Sequence, residues 1–325
     1  QLMPTGDSTK RIRRSILGLL LALTCSDPSD LFAAEDTRNA VEFLRALRQK
    51  GYFDLSSEYA AELRKIPDLP SNMKAVLDYE DGRTLLEEST KTGDLIRRRD
   101  LLEQSRVKLE AFVNANPEHQ FAREALIQIA RMLFERGHVA IILAEEGNDE
   151  GERASKLVQA QKVFDQAREA YSAAIAKVDA EYRKYPKSIP ESDPRWALRD
   201  RAYTELLDAM LQKAEVDYSQ AQTWPPASKE RAALLDQGQA QFDSFHKTYR
   251  DTMAGLTARM WQAKCLEEQG KIDEAVGIYK ELLGHSDARL RTLQANVGAF
   301  YIEALGKRKQ YALAADEAVR WFETY

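Results

Sequence analysis

Residues 263–283 read AKCLEEQGKIDEAVGIYKELL and predict one helical hairpin. Small and apolar residues recur at spacings of three and four on both sides of a glycine, so each set lines one face of a helix: Ala263 and Leu266 before it, Ala275, Tyr279 and Leu282 after it. The glycine, at position 270, can take the left-handed conformation that ends the first helix. Neither helix could bury its apolar stripe alone, so the hairpin requires neighbouring helices.

These residues resemble the consensus of the tetratricopeptide repeat (TPR) family, which has small, apolar, turn, small, aromatic and apolar residues at the same places. The resemblance implies an all-α fold, an α-solenoid of antiparallel helical hairpins. It also implies a non-catalytic scaffold that binds a protein or peptide partner, because TPR hairpins hold partner segments in a groove lined by their first helices. On this chain, residues off the packing stripe would face that groove: Thr257, Met260, Lys264 and Glu267.

The repeat is irregular along the rest of the chain. Ala167, Tyr171 and Ala174 repeat the pattern of the second helix, and residues 37–63 loosely resemble a divergent hairpin that turns at Gly51. We therefore expect N-terminal hairpins over 35–94, and a TPR-like array over 95–325.

Composition agrees with a helical protein. The 325 residues are 44% apolar and 30% charged, with only 15 glycines and 10 prolines, too few turn residues for an all-β protein. The formal net charge is −5, and basic residues are interspersed with acidic ones. Without a continuous basic face, nucleic acid is not an expected partner.

The first 34 residues have the pattern of a secretory signal peptide. Four basic residues, among them Lys10 and Arg14, precede the apolar run 16–23, and Ala33 and Ala34 follow. We therefore expect export to the periplasm or cell envelope, with an uncleaved membrane tether or a cytosolic amphipathic start as the alternatives. The apolar run is far shorter than the ~20 residues of a spanning helix, so no integral membrane span is expected after signal removal.

Two further surfaces are candidates for contacts. Trp224 lies on a loop with Pro225 and Pro226, and an exposed aromatic residue on such a loop can dock a partner. Val319 and Phe322 are apolar residues close to Tyr325, where a helical array usually ends in a polar capping face. We expect either further repeats beyond Tyr325 or self-association through this end.

The sequence offers little chemistry. Its four histidines are far apart, and it has no phosphate-binding glycine loop, so no enzyme activity, metal or cofactor is expected. Ser71 with Lys74 matches a fragment of the serine β-lactamase pattern, but a helix cap explains the same residues. Cys265 lies on an apolar face and is interpreted as a small buried residue.

We therefore expect an exported TPR-like adaptor that binds partner protein segments. The alternative is an accessory helical domain of a larger envelope enzyme or receptor. A longer reading frame would distinguish the two.

Overall fold

The computed structural model describes residues 34–67, 69–147 and 149–325, and in this part of the chain it contains helices and no strand. The described α-helices, in chain order, are α1 (Ala34–Gln49), α2 (Phe53–Leu63), α3 (Ser71–Ser89), α4 (Leu95–Ala115), α5 (Ala122–Glu145), α6 (Glu150–Tyr182), α7 (Trp196–Ala221), α8 (Lys229–Tyr249), α9 (Met253–Glu268), α10 (Ile272–Leu283), α11 (Arg291–Lys307) and α12 (Tyr311–Thr324). The predicted all-α array of antiparallel hairpins is confirmed. The predicted signal peptide lies outside the described residues, except for its last residue.

The chain forms two compact units, with the first ending at Lys91 and the second running from Thr92 to Tyr325. In the first unit, α1, α2 and α3 pack around apolar side chains that include Leu44, Ala60 and Met73. Arg48 and Glu80 form an ion pair of 2.6 Å in this interior, with both side chains almost fully buried. The pair joins α1 to α3.

In the second unit each helix packs against the next along the chain, and the helices form two layers. We call α5, α7, α9 and α11 the inner layer because these alternate helices also contact one another. The outer layer consists of α4, α6, α8, α10 and α12. Such stacking is the expected outcome for hairpins that cannot bury their apolar stripes alone.

Polar side chains join α5 to α7 at regular intervals. Arg123 donates to Glu205 and Arg131 donates to Gln212, each at 3.0 Å, and the ring of His138 lies 3.3 Å from the hydroxyl of Ser219. The partners are 81 or 82 residues apart in every case, so the two helices run in the same direction and in a fixed register. This geometry is that of equivalent helices in successive hairpins.

Three hairpin turns of the described chain share one geometry. Gly51, Gly270 and Lys309 have positive φ angles of 78°, 79° and 62°. At each turn the positive-φ residue bonds back to the carbonyl three residues earlier, and the next residue bonds to the carbonyl five residues earlier. This is the Schellman arrangement that ends a helix. The prediction of a left-handed Gly270 is therefore confirmed.

Several helix starts follow from capping side chains. Asp94, Asp149, Ser228 and Thr252 each accept a hydrogen bond from a backbone N–H in the first turn of the following helix. Asp149, for example, accepts from the backbone N–H of Glu152 at 2.7 Å and so caps α6. None of the helices in the described ranges is both long and apolar enough to cross a membrane.

Candidate functional site

Three of the predicted partner contacts are buried. Met260, Lys264 and Glu267 are all shielded from solvent, Lys264 being 5% exposed, so the expectation that they face an open groove is wrong. The reason is that α9 packs against α8 and α10 and also touches α7 and α11 in its own layer. Thr257 is half-buried, and its hydroxyl donates to the carbonyl of Met253. Its predicted contact with a partner stays a prediction.

Lys264 and Glu267 belong to an interior ion-pair cluster. The Lys264 ammonium donates to Glu267 at 3.0 Å and to Glu303 at 2.8 Å, and Lys307 donates to Glu267 at 2.6 Å. The hydroxyl of Tyr279 donates to the other oxygen of Glu267 at 2.9 Å. Burial and the neighbouring Glu267 carboxylate raise the pKa of Tyr279. The cluster therefore fastens α9, α10 and α11 together.

The same cluster has the ligand types of a metal site. Carboxylate oxygens of Glu267, Glu268 and Glu303 lie within 4.8 Å of one another. However, Lys264 and Lys307 already supply positive charge to these carboxylates. Burial tends to lower the pKa of Lys307, but its hydrogen bonds to the glutamates outweigh burial and raise it. The arrangement fits a structural ion-pair network better than a cation site.

Trp224 is half-buried at the turn between α7 and α8. The guanidinium of Arg231 donates to the carbonyls of Ala221 and Trp224, at 3.2 and 3.4 Å. The loop backbone is thereby tied to its own helices. That Trp224 contacts a partner stays a prediction.

Cys265 is buried, and burial raises the pKa of its thiol to about 12. A thiol with this pKa is almost entirely protonated at neutral pH and is a poor nucleophile. The interpretation of Cys265 as a small core residue is confirmed.

A row of polar side chains follows one face of α7. Asp208, Gln212 and Glu215 are spaced by four and three residues, and each is half-buried. We call these three residues the α7 stripe. The amide oxygen of Gln212 accepts hydrogen bonds from Arg131 and from the hydroxyl of Tyr171, each at 3.0 Å. Gln212 is therefore fixed, while the two acids flank it.

An aromatic group lies beside the stripe. The ring of Trp261 on α9 lies 5.0 Å from that of Tyr218 on α7 and 6.0 Å from that of Phe300 on α11, between centroids. The Trp261 side chain also lies near enough to Glu215 to lower the pKa of its carboxyl. All four side chains are half-buried, so the inner layer presents a partly open surface with aromatic rings and a carboxylate.

Glu215 has an unusual titration. Burial raises the pKa of its carboxyl to about 7; the nearby polar group of the Trp261 side chain acts against this rise, and the charge of Asp208 adds to it. Burial also raises the pKa of Asp208, although Arg131 partly offsets that effect. Among the described residues, no cation lies within ion-pair distance of Glu215.

Sequence reasoning missed this surface. The TPR pattern marks only the residues that pack hairpins together, and α7 carries no clear copy of it. The available signal was the i, i+4, i+7 spacing of the polar residues Asp208, Gln212 and Glu215 along α7. That spacing marks an exposed or half-exposed stripe, but it does not show that the acids lack cations.

The far end of the second unit has a different surface. No residue of α12 is buried, and Tyr311, Val319 and Phe322 are exposed, Phe322 by 83%. Leu313 and Ala314 pack against the core, and the indole N–H of Trp321 donates to the carbonyl of Ala295 at 2.7 Å. Self-association through this surface, or continuation of the array, stays a prediction.

Known proteins add little to this description. The sequence matches no protein-family model and no curated protein. Two solved structures are similar to this chain, each at 17% identity and a TM-score of 0.40. One is of a Podosopora anserina chain described as a kinesin light chain with nearly identical TPR-like repeats, and the other is of a single-substitution variant of it. The similarity covers 79% of this chain and 94% of theirs. At this TM-score we take nothing about function from it.

Proposed function

We propose that the protein is a non-catalytic interaction scaffold that binds a segment of a partner protein on its inner layer. The observation that carries the proposal is the half-buried surface formed by Glu215, Trp261 and Phe300. Half-buried aromatic side chains held on rigid helices are typical anchors of protein interfaces, because they lose little conformational entropy on binding.

The charged groups of the second unit support a scaffold rather than an enzyme. Lys264 and Glu267, and likewise Arg168 and Asp217, are paired with each other inside the helix array. The Arg168–Asp217 pair joins α6 to α7 and the Lys264–Glu267 pair lies within α9, so these four charged groups are bound to structural partners.

We also propose that the chain is exported, on the basis of residues 1–34. Fusing these residues to a reporter enzyme that is active only outside the cytoplasm tests this part. Activity of the fusion supports export, and an inactive fusion that is well expressed contradicts it. Replacement of Arg13 and Arg14 by glutamate in the same fusion is the control, since the positive n-region is required for a signal peptide.

A selection experiment tests the scaffold. A random dodecapeptide library displayed on phage is selected against the full chain, and enriched peptides are mapped by hydrogen exchange. We expect protection on α7, α9 and α11, compared with little change on α8 and α10. Failure to enrich any peptide, or protection confined to the outer layer, would contradict the proposed function.

A further inference from the structure

The two acids of the α7 stripe lack the cationic partner that Glu205 and Glu303 of the inner layer have. Glu205 accepts from Arg123 at 3.0 Å and from Arg201 at 2.9 Å, and Glu303 accepts from Lys264 at 2.8 Å. Asp208 and Glu215 have no ion pair with a described residue. Their negative charge is therefore available to a positive group from outside the chain.

The groups around Asp208 and Glu215 do not supply the missing cationic partner. Arg131 of α5 is the cation that acts on Asp208, but its hydrogen bond goes to Gln212. The groups close to Glu215 are the Asp208 carboxyl on its own helix, the Tyr171 hydroxyl on α6 and the Trp261 indole on α9. None of these three is a cation.

The aromatic rings beside Glu215 also favour a cation. The face of an indole or phenyl ring attracts ammonium and guanidinium groups. The inner layer already contains one such contact, since the Lys264 ammonium lies 4.9 Å from the centroid of Phe300. A second cation that reached Glu215 would lie beside Trp261.

We propose that Asp208 and Glu215 accept two lysine or arginine side chains of a basic partner segment, with Trp261 packing against the one bound at Glu215. This inference rests on the proposed function and specifies the chemistry of the partner. It commits to a protein segment carrying at least two basic residues.

The spacing of the acids limits the spacing of the basic residues. Seven residues of helix separate Asp208 from Glu215, which is about 10 Å along the axis. Three residues of chain in the polyproline II conformation span about 9 Å, and side chains three residues apart then lie on the same side of the chain. A segment that lies along α7 with basic residues three positions apart therefore places one cation at each carboxylate.

The test uses fluorescein-labelled nonapeptides of glycine and serine with lysines at positions 3 and 6. Binding to the full chain is followed by fluorescence anisotropy at pH 8 and low salt. Matched peptides carry the lysines at positions 3 and 4, or glutamine or glutamate in place of both. We expect the three-apart peptide to bind most tightly, and the glutamine and glutamate peptides not to bind.

Two variants assign the binding to the stripe. Glu215→Gln should weaken the lysine peptide about tenfold, the loss expected for one charge-assisted contact at a half-buried site. Glu169→Gln makes the same charge change at an exposed position of α6 and should alter binding less than about twofold. Because Glu215→Gln should also stabilise the fold at this pH, weaker binding could not be explained by unfolding.

Each other outcome overturns the inference. Absence of binding to the wild-type chain, equal losses in the two variants, or equally tight binding of spermidine would contradict a basic protein segment at this site. Peptides selected from the phage library without basic residues would also contradict it while leaving the proposed function intact. Failure of the selection itself would count against the function.

Discussion

Gly270 and Lys309 lie 39 residues apart and occupy the same position of the same turn. Both have positive φ, and the backbone hydrogen bonds around them match one to one. Side chains 39 residues apart also meet in the inner layer: Lys264 donates to Glu303, and Trp261 packs against Phe300. The pair α9–α10 and the pair α11–α12 are therefore two copies of one repeat in direct register.

The left-handed turn at Gly270 predicts that substitution by alanine changes the free energy of unfolding in opposite directions at Gly270 and at Gly277. Gly270→Ala should lower the free energy of unfolding by about 1–2 kcal/mol, because a Cβ is strained at φ 79°. Gly277→Ala in α10 should raise it by about 0.5–1 kcal/mol, because that glycine is helical and its new Cβ meets nothing within 4 Å. Urea denaturation of both variants checks the signs, and equal signs would contradict the turn assignment.

Lys309 occupies the turn position at which glycine is favoured, so replacing it with glycine should be stabilising. A lysine at φ 62° has the strain that glycine avoids, so Lys309→Gly should raise the free energy of unfolding, by up to about 1 kcal/mol after the entropy cost of glycine. The side chain of Lys309 is exposed and replacing it removes no buried contact. A destabilised variant in the same urea experiment would show that the strain is absent.

The sequence was sufficient for the fold class and for the hairpin that turns at Gly270. It was not sufficient for the last repeat, because Lys309 stands where the pattern has glycine. Exposure in α9 was also wrongly predicted: helical periodicity separates one face from another, whereas Lys264 is enclosed by helices distant in sequence. The lack of a cation at Glu215 depends on side chains from several helices and could not be read from spacing.

Asp217 is predicted to be a key stabilising residue of the second unit. Its carboxylate accepts from Arg168 on α6 and from Gln237 and Gln241 on α8, at 2.7 to 2.9 Å, and its side chain is 2% exposed. Asp217→Ala leaves these donors without their acceptor and should cost about 3 kcal/mol. Asp165→Ala removes an exposed partner of the same arginine and should cost less than about 1 kcal/mol. Similar losses in urea denaturation would contradict the network.

Because Lys264 is buried, its replacement should lower the stability of the fold. Lys264→Met removes the ammonium from Glu267 and Glu303, and should lower the free energy of unfolding by about 2 kcal/mol, since Lys307 still pairs with Glu267. Lys264→Glu should be considerably worse, because it adds a buried acid to an acidic cluster. Lys162→Met, at an exposed position of α6, is the matched control and should be nearly neutral. Wild-type stability in Lys264→Glu would contradict the burial of this residue.

The raised pKa of Glu215 predicts that the difference in stability between the wild type and Glu215→Gln depends on pH. Its pKa in the folded chain is about 7, raised by burial from an ordinary value near 4.5. A raised carboxyl pKa favours the folded state while the group is protonated, so its contribution is fully present below pH 4.5 and is lost as the pH rises through 7. Glu215→Gln, which cannot ionise, should therefore match the wild type at pH 4.5 and exceed its free energy of unfolding at pH 8 by roughly 1–3 kcal/mol. The measurement is urea denaturation of both proteins at intervals between these pH values, with Glu169→Gln as the exposed control, whose difference from the wild type should not grow with pH. A constant difference for Glu215→Gln would show that the carboxylate at position 215 is already compensated in the free protein, and would leave no unmatched charge for a basic segment to neutralise.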